Sequence, residues 1–103
     1  MYKLTVFIPE EALEKVKAAL FAAGAGTIGN YEQCCWQVKG EGQFMPMAGS
    51  NPHLGSQDKL EKVAEWRVEM VVKTSMIAEV IEALKQAHPY ETPAYDVLEV
   101  LDL

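Results

Sequence analysis

The run from Leu60 to Lys73 constrains the fold of this chain most. Ala64, Trp66, Val68, Met70 and Val72 alternate there with Glu65, Arg67, Glu69 and Lys73. A helix brings side chains to one face every three or four residues, so a sustained period of two predicts a strand. One of its faces is apolar, and the other must meet solvent or an interface. A long strand of this kind needs partner strands and a layer over its apolar face.

Those partners are legible on either side. Tyr2, Leu4, Val6 and Ile8 alternate with Lys3, Thr5 and Phe7, and their β-branched and aromatic content predicts a first strand. Pro9, with Glu10 and Glu11 behind it, suits a first helical turn and predicts a helix from Pro9 to Ala23. Leu13, Val16 and Leu20, with Ala12, Ala19 and Ala23, form its buried stripe, and Gly24, Gly26 and Gly29 end it. From Tyr31 to Lys39 a second strand places Cys34, Trp36 and Val38 on one face and Tyr31, Gln33, Cys35 and Gln37 on the other. Gly40-Glu41-Gly42 reads as a turn. Gln43 to Met47 then returns as a short edge strand, confined to an edge by Pro46, and Ala48 to Ser56 is loop.

After the long strand, Thr74 or Ser75 is placed to cap a second helix with the stripe Ile77, Val80, Ile81 and Leu84. His88-Pro89 stops it, because a residue before proline avoids the helical region. The segment Ala94 to Leu101 closes the chain as a strand, with Tyr95, Val97 and Leu101 on one face and Leu98 and Val100 on the other. The order is β-α-β-β-α-β with an extra β-hairpin: an α+β, ferredoxin-like antiparallel sheet with both helices on one face. At 103 residues the chain has room for one core, so residues 1–103 read as a single domain. Apolar residues on both faces of its strands predict a second packing surface, and a homo-oligomer is the economical way to cover it.

Charge and composition exclude several functions. A formal net charge of −6 with no Lys/Arg cluster argues against nucleic-acid and anionic-lipid partners. No apolar stretch reaches the roughly 20 residues a bilayer requires. The N-terminal run is too short for a secretory signal, so a cytoplasmic location is expected.

Two segments resemble a known family. Gly24-Ala-Gly-Thr-Ile-Gly-Asn-Tyr-Glu-Gln-Cys34 and Ala87-His-Pro-Tyr-Glu-Thr-Pro-Ala-Tyr-Asp-Val97 are similar to the PII-like domain inserted in the NGG-interacting-factor family. The second also looks like the His-Pro-Tyr-Glu motif of CutA proteins. The spacings Gly40-x-Gly42-x-Phe44-x-Pro46 and Gly49-x-x-Pro52-x-x-Gly55 fit the same domain. The resemblance runs from the first strand to the last and implies a stand-alone PII/CutA-like domain that favours homotrimers. The dinuclear metal core of the larger proteins has no counterpart in these residues.

The candidate site residues follow from both readings. His88, Tyr90 and Glu91 put an imidazole, a phenol and a carboxylate on a turn held by Pro89 and Pro93. Such groups suit a small ligand or a cation, while the structural alternative has Pro89 stopping the helix, Tyr90 packing beneath it and Glu91 capping amides. Cys35 and loop residue His53 complete a candidate metal set with His88 and Glu91, and a divalent or copper ion is the cofactor it would suit. Adjacent cysteines on a strand point to opposite faces, so Cys34 reads as a packing residue. Phe44, Tyr31 and Trp36 are candidate ligand or interface residues. No hydroxyl has an obvious local base and the glutamates alternate with Lys and Arg, so no catalytic residues are assigned. The reading is a non-catalytic binding or regulatory module, with metal-ion binding and descent from a metal-dependent hydrolase as alternatives.

Overall fold

The structure, a computed structural model, describes residues 1–103. Strand β1 (Tyr2–Pro9) leads through a 3₁₀ turn (Glu10–Ala12) into helix α1 (Leu13–Ala22). Strands β2 (Trp36–Phe44) and β3 (Glu61–Val72) follow, then a 3₁₀ turn (Thr74–Met76), helix α2 (Ile77–Ala87) and strand β4 (Tyr95–Glu99). The sheet has the order β2-β3-β1-β4, and every neighbouring pair is antiparallel. This is the β-α-β-β-α-β plan, with each helix carrying the chain between strands of one sheet.

The alternation in β1 and β3 decides which face the helices cover. Register pairs Leu4 with Met70, Val6 with Val68 and Ile8 with Trp66, so these side chains share a face. There all but the half-buried Trp66, which packs against the others, form one buried cluster with Leu13, Val16 and Leu20 of α1 and Val80 and Leu84 of α2. Both helices therefore lie on one side of the sheet. The opposite face carries Lys3, Thr5 and Phe7 of β1, Glu65, Arg67, Glu69 and Val71 of β3, Trp36 and Val38 of β2, and Asp96 and Leu98 of β4. No helix covers it, and only at its Glu65 end do the segment after α2 and the loop after β2 reach over it.

The β2–β3 pair outgrows the rest of the sheet. β1 pairs with β3 only from Glu65 to Val72, whereas β2 pairs with it from Glu61 to Glu69. The end formed by Glu61–Ala64 and Glu41–Phe44 is therefore a two-stranded ribbon without a third strand. At the other end of β3, where β2 has not yet begun, the Gly26 amide donates to the Val71 carbonyl at 2.8 Å and continues the ladder by one residue. Gly26 has φ +80°, and an added Cβ would lie 2.9 Å from the Cys34 carbonyl oxygen, so glycine is required there.

Several boundaries differ from those the pattern suggests. Gly40–Gly42 is not a turn and the extra hairpin does not form: β2 runs straight through both glycines to Phe44, opposite Glu61–Glu69. Glycine adopts extended backbone as readily as a turn, and here the ladder with β3 selects extension. Tyr31 falls before β2, in an isolated bridge with Ile28. Pro9 ends β1 instead of starting α1, with ψ 147°. Neither Thr74 nor Ser75 caps α2 with its side chain. The Thr74 hydroxyl instead accepts from the Met1 amino group at 2.9 Å.

Leu84 is fully buried between α2 and the sheet. Leu84→Ala is expected to lower unfolding free energy by about 2–5 kcal/mol in urea titration, through lost burial and the cavity left behind.

Candidate functional site

The segment between α2 and β4 is held by the imidazole of His88. α2 ends where His88 turns extended, at ψ 133°, ahead of Pro89. On β1 the Phe7 amide donates to the Ala94 carbonyl at 3.1 Å, but the return bond from Ala94 to the Phe7 carbonyl is not made. His88 Nε2 stands in for that amide, 2.8 Å from the Phe7 oxygen. Its Nδ1 accepts the Tyr90 amide at 3.1 Å, which assigns the neutral ring with hydrogen on Nε2. The imidazole thus completes a sheet ladder and fixes the turn at once, with 5% of its surface exposed. Burial pushes its pKa below the usual histidine range, against the opposing pull of the Phe7 carbonyl and the Glu65 charge.

Tyr90 is carried by this turn to the end of the β2–β3 ribbon. Its hydroxyl donates to Glu65 Oε2 at 2.9 Å. Burial, then the hydrogen bond to Glu65 and its charge, raise the phenol pKa far above neutrality, so it remains a donor. Glu65 reaches this position across Gly42, where any Cβ would overlap its carboxylate. The ring of Tyr90 has neighbours on three sides: His88 at 5.0 Å between centroids, Phe44 at 6.0 Å and His53 at 6.2 Å. The loop after β2 folds back over the turn, and the Asn51 amide donates to Glu91 Oε2 at 2.9 Å.

These contacts enclose a cleft of about 240 Å³ lined by Phe44, His53, Glu65, Tyr90, Glu91 and Thr92 among others. The loop residue His53 lies beside the turn, its ring centroid 6.2 Å from that of Tyr90. The proposed metal set does not assemble within the chain. Cys35 lines a different cleft with Ile28, Trp36 and Glu69, both nitrogens of His88 are engaged with backbone groups, and no three His, Cys, Asp or Glu side chains converge. Trp36 and Tyr31 are 61% and 74% exposed and lie outside the cleft. Glu65 escaped the sequence reading, since a glutamate alternating with Arg and Lys looks like any solvated strand residue; only the register with Gly40 and the reach of Tyr90 single it out.

The Tyr90 hydroxyl donates to Glu65 and the Ser50 hydroxyl to the Met47 carbonyl at 2.6 Å, so neither is bonded to an imidazole.

The lowered pKa of His88 fixes the sign of a pH effect. Below about pH 6.5 the unfolded chain binds a proton that the folded one refuses, so stability is complete above that pH and falls as pH drops towards the folded-state value. Thermal melting between mildly alkaline and mildly acidic buffer should show this decline. It should flatten in His88→Gln, at a lower overall stability.

No family model matches the chain. It is 46% identical over 99 residues to a GTP cyclohydrolase 1 type 2 homolog of Mycobacterium tuberculosis, covering 96% of this chain and 26% of that protein. The chain thus spans about a quarter of the length of the curated relatives it matches. Among solved structures, a Bacillus cereus protein related to NIF3 aligns with TM-score 0.79 and 43% identity, over 93% of this chain and 24% of the other. CutA1 from Pyrococcus horikoshii aligns with TM-score 0.71 and 20% identity, over 100% and 86% of the two chains. Bacillus subtilis GlnK aligns with TM-score 0.62 and 17% identity, over 96% and 83%. The chain therefore has the ferredoxin-like fold of CutA and GlnK, and in sequence it is similar to a segment of NIF3-related proteins.

Proposed function

We propose that the chain is a non-catalytic binding or regulatory module that self-associates through the uncovered face of its sheet, as a homotrimer in the manner its PII/CutA resemblance implies. One observation carries the reading. The face away from the helices exposes 61% of Trp36, 44% of Val38 and 57% of Leu98, around a centre of paired charge. Lys3 Nζ lies 2.7 Å from Glu69 Oε1 and the Arg67 guanidinium 3.6 Å from the same oxygen. The hydrogen bond from Lys3 leads in holding Glu69 below the usual carboxylate range. Pairing with Glu69 reduces the cost of taking Lys3 and Arg67 out of water when a second copy covers the face, while the apolar rim gains. The two-stranded end of the β2–β3 ribbon supports the same reading, because a lone hairpin is marginal in water and has free edges on both sides.

The cyclohydrolase named in the relatives belongs to chains of which this one matches about a quarter. Within the cleft the Tyr90 and Ser50 hydroxyls, and beside it His88, are committed to structural bonds, which favours binding over turnover. Two unpaired thiols, Cys34 and Cys35, suit a reducing compartment and hence the cytoplasm.

Light scattering on the purified protein tests the assembly. A mass near three subunits at micromolar concentration is expected, and Trp36→Glu, which puts a charge into the shared face, should shift the population to monomer while leaving the circular dichroism spectrum unchanged. A stable monomer of the unaltered chain would overturn the proposal.

A further inference from the structure

We infer that the cleft between the β2–β3 ribbon and the His88–Thr92 turn binds the ammonium head of a small organic cation. The inference rests on the reading of the chain as a binding module, and adds the chemical class of its ligand. Three independent properties of the cleft converge on it. The first is charge: Glu65 and Glu91 line it, no Lys or Arg does, and neither carboxylate takes part in a salt bridge. Each gives one oxygen to a neighbour, Glu65 to the Tyr90 hydroxyl and Glu91 to the Asn51 amide, which orients the group without neutralising it. Two oriented anions with low-dielectric walls concentrate cations, and the remaining oxygens are acceptors for N–H donors.

The second is the wall. The rings of Phe44 and Tyr90 stand 6.0 Å apart, tilted by 54°, with His53 beyond Tyr90 at 6.2 Å. Aromatic faces beside carboxylates attract alkylammonium ions both through the ring quadrupole and through contact with the attached carbons. Pro46, Pro52 and Leu54 continue that apolar lining. The third is size. About 240 Å³ lies below the roughly 300–1,000 Å³ of pockets that hold drug-sized molecules, so the cleft suits a head group of a few heavy atoms better than a nucleotide.

A bare metal ion fits the same cleft less well. Hard divalent ions gather about six or more oxygens, and the cleft presents two carboxylates from separate elements. Softer ions prefer several imidazoles or thiolates, but the cleft offers His53 alone, since His88 has both nitrogens in backbone bonds, Cys35 lines another cleft, and no three His, Cys, Asp or Glu side chains converge.

Calorimetric titration of the full chain with butylammonium chloride tests the proposal, with tetramethylammonium chloride as a second cation and sodium butyrate as the charge-reversed control. Saturable binding of butylammonium at one site per subunit, with Kd of about 1 mM or tighter, is expected, and none of butyrate. Glu91→Gln and Phe44→Ala should each weaken it by about fivefold, the scale of one screened charge or one cation–ring contact. Circular dichroism of both variants should match the parent chain. Absence of saturable heat, equal binding of butyrate, retention of full affinity in both variants, or displacement of butylammonium by stoichiometric zinc or copper would each overturn the inference. Light scattering on the same samples separates the two proposals: a monomer that binds butylammonium removes only the assembly, and a trimer that does not removes only the ligand.

Discussion

Everything in this molecule depends on a sheet that has helices on one side only. β1 and β3 bury Leu4, Val6, Ile8, Val68, Met70 and Val72 under α1 and α2, and that single layer uses up both helices. The opposite face is left with Trp36, Val38 and Leu98 around the Lys3–Glu69–Arg67 charges. It is the face that the proposed self-association would cover. Burial of apolar area contributes about 25 cal/mol per Å², so even a few hundred Å² removed from water at such a face would outweigh the rearrangement of a few exposed side chains.

The same one-sidedness explains where a cleft can form. β2 and β3 run on past the start of β3's pairing with β1, so their end hangs beyond the sheet and is held from the side by Tyr90 through Glu65 and Phe44. Tyr90 is in place because His88 takes over a ladder position that Ala94 leaves vacant and then accepts the Tyr90 amide. The motif His88-Pro89-Tyr90-Glu91 therefore divides its labour. Pro89 ends the helix, His88 anchors the turn to β1, Tyr90 ties it to the ribbon, and Glu91 faces the cleft with one oxygen held by the returning loop. Every contact made by this motif is structural, including the Asn51 amide that Glu91 accepts, and a ligand role for the second Glu91 oxygen is the proposal.

Much of this was legible in the chain because it is written in local periodicity. The alternation of Leu60–Lys73 and of Tyr2–Ile8, and the stripes Leu13-Val16-Leu20 and Val80-Leu84, fix element types and faces without reference to distant residues. Gly40–Gly42 misled because glycine permits a turn without demanding one, and the choice was made by β3, some twenty residues on. The parity of Trp36 and Val38 was readable, but which side of the sheet they occupy depended on pairing with Glu69 and Arg67. The role of His88 lay further out of reach: its partner is a backbone carbonyl 81 positions away, and carbonyls carry no sequence signature. Glu65 was hidden for a related reason, since its neighbours Gly42 and Tyr90 come from two other segments.

The surroundings of Trp36 provide the most direct test of the uncovered face, because the chain holds one other tryptophan, Trp66. Trp66→Phe leaves Trp36 as the sole indole reporter. Acrylamide quenching of its fluorescence across a dilution series measures how much of that ring solvent reaches. If the face closes on other copies of the chain, Trp36 is shielded and blue-emitting at micromolar concentration and becomes quenchable as the protein is diluted. Emission and quenching like those of free tryptophan at every concentration would contradict the account, for the face would then be plain solvent surface.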